Sequence, residues 1–99
     1  MGKLIIKIKD RYFEWSTVSD SPTTYGMTLD KLREYIKEEY GNVGLEQLPA
    51  RLERVEKYGT SSYDYESATK LCAHNRAGEN EKHISLEQIY KRYAWPPEN

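Results

Sequence analysis

The sequence predicts an α+β domain: an N-terminal β-hairpin packed against three to four short α-helices. Residues 3–17 alternate apolar and polar side chains with period two, as a half-buried strand pair does. Residues 28–93 instead carry apolar stripes at spacings of three and four, punctuated by cap residues and glycines. The chain has 99 residues, enough for one core, so residues 1–95 read as a single domain and 96–99 as a loose C-terminal tail.

In the first strand, Leu4, Ile6 and Ile8 share one face and Lys3, Lys7 and Lys9 the other, with Ile5 out of phase. In the second, Phe13, Trp15 and Thr17 oppose Tyr12, Glu14 and Ser16. With Asp10 and Arg11 as a two-residue loop, Ile8 faces Phe13, Ile6 faces Trp15 and Leu4 faces Thr17, while Lys7 meets Glu14 on the other side. Asp-Arg is not a favoured turn pair, which leaves a slightly longer loop open. A lone hairpin is marginal, so the helices must cover its Leu4/Ile6/Ile8/Phe13/Trp15 face.

Thr28 is a good N-cap, and Met27 with Leu32 forms a hydrophobic staple. Leu29, Leu32, Ile36 and Tyr40 follow at helical spacing, and Gly41 is a natural stop. Leu45, Leu48, Leu52, Val55 and Tyr58 make a second stripe. Pro49 suits a first turn, so a helix is expected over about 49–58, ended by Gly59. A third helix is expected from Ser61 or Ser62, with Asp64 and Glu66 in its first turn and Tyr65, Ala68 and Cys72 inward, ending near Asn75. The fourth has the clearest signal: Ser85 and Gln88 form a capping box and Ile84 and Ile89 a staple. Pro96 and Pro97 stop it.

Composition narrows the function. The apolar fraction is only 37%, and nine Tyr supply much of the missing burial. Fifteen basic against 16 acidic residues give a net charge of −1, with no general attraction to nucleic acid or membrane. A single cysteine excludes an intrachain disulfide and suits a cytoplasmic protein. No apolar run approaches a signal peptide or a membrane span, so no membrane association is expected. There is no phosphate-binding glycine motif and no zinc-ligand spacing, so neither cofactor nor metal is expected.

Three sets of residues are candidates for a site. The hydroxyl-rich connection after Trp15 places Glu14, Ser16, Thr17, Asp20, Thr24 and Tyr25 beside an aromatic, the usual make-up of a recognition surface. Arg76, in the loop His74–Glu79, is the best candidate for gripping a carboxylate or phosphate. The bland alternative is that these groups only cap turns and helix ends. Lys7, Lys9, Arg11 and Tyr12 form a basic strand end with an aromatic, a composition that binds single-stranded nucleic acid or merely protects a strand. Glu14 with Asp20, or the Cys72 thiol, would be the groups of a small enzyme. His74 lies two residues from Cys72, about 200° away on a helix, so the two cannot pair locally.

The combination Phe13-Glu14-Trp15-Ser16-Thr17, Tyr25-Gly26-Met27, Gly59-Thr60-Ser61 and Asn75-Arg76-Ala77-Gly78 resembles a family of small proteins encoded by bacteriophages and prophages. The likeness spans roughly residues 12–93. It implies a bacterial-cell context and no catalytic residues, because no activity is established for that family. The expected function is therefore a non-enzymatic interaction protein acting on a host, defence or phage protein. A nucleic-acid or nucleotide binder is the alternative, a small enzyme the second, and a virion component the last.

Overall fold

The computed structural model describes residues 3–61 and 67–93. Three strands, β1 (Lys3–Ile8), β2 (Arg11–Ser16) and β3 (Ser21–Pro22), form an antiparallel sheet in that order. The helices are α1 (Leu29–Tyr58), a four-residue turn α2 (Ala68–Leu71) and α3 (Leu86–Tyr93). The α+β class expected from the sequence is the one observed. The expected three to four short helices are not: α1 spans 30 residues with a break at Gly41, and α3 is the only other helix longer than a single turn among the described residues.

The hairpin pairs Ile6 with Phe13, Leu4 with Trp15, Lys7 with Tyr12 and Ile5 with Glu14. This is two residues away from the predicted register, because the loop is Lys9-Asp10 and not Asp10-Arg11. Lys9 takes a left-handed conformation, φ 55°, to make the turn. A two-residue slip preserves side-chain parity, so every facing assignment survives while each cross-strand partner changes.

Both faces of the sheet are covered. One buries Ile6, Ile8, Phe13 and Trp15 against Leu71, Cys72, Ala77 and Ile89. The other buries Ile5 and Tyr12 against Leu32, Ile36, Leu48 and Val55 of α1. Ile5, out of phase for a one-sided hairpin, is thus fully buried in a second core. The expectation of one covered face is corrected, because the mixed side of Lys3, Ile5, Lys7, Tyr12 and Glu14 lies under α1.

Thr28 caps α1, its hydroxyl accepting from the Lys31 amide, and Gly59 closes it in the left-handed region at φ 81°. Gly41 breaks the run at φ 67°, ψ −157°, a region essentially reserved for glycine. The expected stop at Gly41 is therefore real, but helical geometry resumes at once and Pro49 sits inside the second half. Among the described residues, Ser61 caps no helix. Its amide donates to the Ile5 carbonyl and its hydroxyl accepts from the Ile5 amide, which covers the outer edge of β1. The predicted roles of Ser62, Asp64, Tyr65, Glu66 and the prolines at 96 and 97 fall outside the described residues. The capping box at α3 is formed in both directions, Ser85 amide to Gln88 and Gln88 amide to Ser85.

Candidate functional site

The hydroxyls between Trp15 and Thr28 mostly serve the fold. Ser16 Oγ accepts from the Val18 and Ser19 amides and closes the β2–β3 turn. Asp20 supplies the left-handed residue of that turn, φ 52°. Thr23 Oγ1 donates to the Glu14 carboxylate, and Thr24 Oγ1 accepts from the Glu14 amide. Together they make the short third strand that the sequence did not announce.

Arg76 is brought to this turn. Its guanidinium donates to the Val18 carbonyl at 2.6 Å and lies 3.6 Å from the Asp20 carboxylate, and its amide donates to Asp20 O. The loop carrying Arg76 thus packs on the β2–β3 turn. The grip expected of Arg76 on a ligand is spent on the chain itself. Next to it, buried Asn75 donates to the Cys72 and Ile84 carbonyls and accepts from the Ala77 and Ile84 amides. His83 donates through Nδ1 to the Asn75 carbonyl. This hub holds the C-terminal loop in shape.

Trp15 and Ser16 are buried, so neither presents a contact surface. Trp15 packs in the first core. Glu14, only 2% exposed, does not meet Lys7 as predicted. It accepts from Tyr40 at 2.5 Å, Tyr35 at 2.8 Å and Thr23 at 2.9 Å, with the Lys3 ammonium 4.0 Å away. Burial alone would raise its pKa. The three hydroxyl donors and Lys3 outweigh that and hold it below the usual carboxylate value. Such a carboxylate is an acceptor with its lone pairs engaged. Cys72 is buried as well, and burial pushes its thiol up to about 12, away from thiolate chemistry.

The basic strand end is internally neutralised. Lys7 bonds Glu56 at 3.1 Å, and Tyr12, only 7% exposed, donates to the same carboxylate. Lys9 bonds Glu87 at 3.0 Å and lies over the Tyr90 ring, while Tyr90 OH donates to Asp10. These contacts tie the hairpin to α1 and α3. A buried Tyr12 cannot stack on a base.

Three of the predicted residues, Arg11, Thr24 and Tyr25, converge on an open groove of about 780 Å³ between the β3–α1 connection and the start of α1. Met27 and Tyr35 also line it, and Lys31, Glu34 and Glu38 form its helical rim. Tyr25 is 40% exposed. Its ring is set by Tyr93, with centroids 6.2 Å apart, and by the Gly26 amide donating to the Tyr93 carbonyl. Thr17 and Asp20 lie at the β2–β3 turn and do not line the groove. The rim residues were missed in the sequence, although Lys31, Glu34, Tyr35 and Glu38 stand at i, i+3, i+4 and i+7, a second helical stripe beside the apolar one.

Among the described residues, no group of His, Cys, Asp and Glu side chains could hold a metal ion, and no helix is long and apolar enough to cross a membrane. No protein-family model, curated protein or solved structure matches this chain.

Proposed function

We propose that the protein is a non-enzymatic interaction module that binds a protein partner through the groove between Thr24–Thr28 and the first turns of α1. The observation that carries this reading is Tyr25: an exposed aromatic ring held in place by Tyr93 at a groove with an apolar floor and a rim of both charge signs. Pre-positioned tyrosines lose little entropy on contact and are enriched among the residues that dominate interfaces. Met27 and Tyr35 supply apolar floor, while Lys31 and Glu38 offer charges that select a partner. The residues that would carry catalysis, Glu14, Asp20 and Cys72, are occupied: Glu14 by three hydroxyl donors, Asp20 beside the Arg76 guanidinium, and Cys72 in the core. The likeness to phage-encoded proteins directs this reading to a host or defence protein of a bacterial cell.

The test is site-specific photo-crosslinking in bacterial cells. A crosslinker at Tyr25 or Glu38 is expected to capture the same protein, and one at exposed Glu53 on the second half of α1 is not. Tyr25→Glu, with its fold checked by circular dichroism, is expected to abolish capture from Glu38. Capture that ignores position and survives Tyr25→Glu overturns the assignment.

A further inference from the structure

Another groove, of about 590 Å³, opens between the middle of α1 and the start of β1. Lys3 from β1, Tyr40, Val43, Gln47 and Arg51 from α1, and Ser61 line it. That volume suits a small ligand.

Arg51 is the unusual group. Its side chain is partly buried, and among the described residues no carboxylate stands within ion-pair distance of it. Burial lowers its pKa, opposed by the charges of Tyr40 and Glu14. Glu14 cannot serve as its partner, because three hydroxyls and Lys3 already engage that carboxylate. A guanidinium presents five N–H donors in a fixed fork, and at this open groove an incoming acceptor can take them. Lys3 adds a second cation at the same groove, so two positive side chains face one carboxylate. Ser61 accepts from the Ile5 amide and keeps its own O–H to donate. Tyr40 and Val43, 42% and 64% exposed, offer an aromatic and apolar wall next to these donors.

We propose that this groove binds a small ligand bearing an oxyanion, with Arg51 donating to two of its oxygens, Lys3 as second cation, and Tyr40 and Val43 against the ligand body. A planar guanidinium matches carboxylate and phosphate oxygens alike. The two sources differ in charge and are separated by the probes used.

The experiment titrates the full chain, labelled with ¹⁵N, with adenosine 5′-monophosphate and benzoate, and with the neutral analogues adenosine and benzyl alcohol, at constant ionic strength. Either anion is expected to shift the Gly44 and Ser61 amides and the Arg51 Nε–H, and the neutral analogues are not. The stronger anion identifies phosphate or carboxylate as the natural group. Arg51→Gln is expected to weaken binding at least about tenfold, and Arg51→Lys, which keeps the charge but not the fork, by less. Lys31→Gln, in the other groove, leaves it unchanged. Neutral analogues that bind as well as the anions overturn the proposal, as does undiminished binding by Arg51→Gln or no shift with either anion up to about 10 mM. Melting curves keep the test open if the Gln variant is hard to handle. The bound anion is expected to raise the melting temperature of the wild type and not that of Arg51→Met. Arg51→Met alone is expected to be no less stable than the wild type, since it removes an unpaired charge, and marked destabilisation by it refutes the premise.

Discussion

Replacing Glu14 by Gln keeps the side chain's shape and removes the charge on which the second core turns. Tyr40, Tyr35 and Thr23 donate to that carboxylate at 2.5, 2.8 and 2.9 Å. A hydrogen bond to a charged acceptor contributes about 1.5–3 kcal/mol and a neutral one about 0.5–1.5, so neutralisation forfeits on the order of 1 kcal/mol at each donor. The Gln amide nitrogen also faces one of the hydroxyls, leaving it short of an acceptor. Relief of the buried charge offsets part of this, and the expected net loss is about 2–3 kcal/mol. For a 99-residue chain that is a fall in Tm of roughly 10–20 °C.

The pH profile separates this cause from general damage. Glu14 has its pKa lowered in the fold. Its stabilisation is complete above the unfolded-chain value of about 4.3 and fades as pH falls through the lower folded value. Burial and the bond to Glu14 push Tyr40 up to about 12, and Tyr35 moves the same way. Their stabilisation is complete below the unfolded-chain value of about 10 and is lost as pH climbs toward the folded value. Urea unfolding followed by far-UV circular dichroism at about pH 3, 7 and 11 reads both limbs. Glu14→Gln is expected to flatten the acid limb and part of the alkaline one. A loss at neutral pH under about 0.5 kcal/mol, or an acid limb as steep as the wild type's, refutes the reasoning.

Gly44→Ala is expected to cost about 1–3 kcal/mol by urea midpoint, because its Cβ would stand 2.6 Å from Tyr40 Cβ and 3.0 Å from Ile36 Cγ2. Gly41→Ala, where no atom lies within 4 Å, is expected to lose a similar amount through backbone strain alone. Asn75→Ala removes four hydrogen bonds to the chain around it and is expected to cost about 2–4 kcal/mol, with faster amide exchange at Ala77 and Ile84 before the sheet. Lys9→Gly relieves φ 55° at the hairpin turn but gives up an exposed ion pair with Glu87 and the contact with the Tyr90 ring, so the expected net change in chemical denaturation is within about 0.5 kcal/mol of zero.

Local chemistry was legible wherever the cause lies within a few residues. The Thr28 cap, the Gly59 terminus and the Ser85/Gln88 box all depend on a single turn of backbone and each stands as read, whereas Gly41 breaks the helix without ending it. The hairpin shows where such reading ends. Alternation sets which face a residue takes, hence register only to the nearest two residues; the conformation of Lys9 decided the rest. The third strand was missed because Ser21-Pro22 has no alternation to display, and its hydroxyls are equally at home in a turn.

The candidate site divides the same way. The residue types around Trp15 marked a polar, aromatic region, and the guanidinium expected to grip an anion is held by Val18 and Asp20 of that region instead. Which of those groups point outward is a property of the packing. Alternation and helical stripes implied an α+β domain, composition put tyrosines in place of missing aliphatics, and capping chemistry marked the start and end of α1 and the start of α3. Only the tertiary structure decided that α1 covers the mixed face of the sheet. That placement made Glu14 a buried acceptor for Tyr35 and Tyr40, took Tyr12 from the surface, and left Tyr25 and Arg51 at open grooves. The physical reason is that burying a Glu or a Tyr depends on donors and acceptors brought from distant segments, and no periodicity along the chain encodes their meeting.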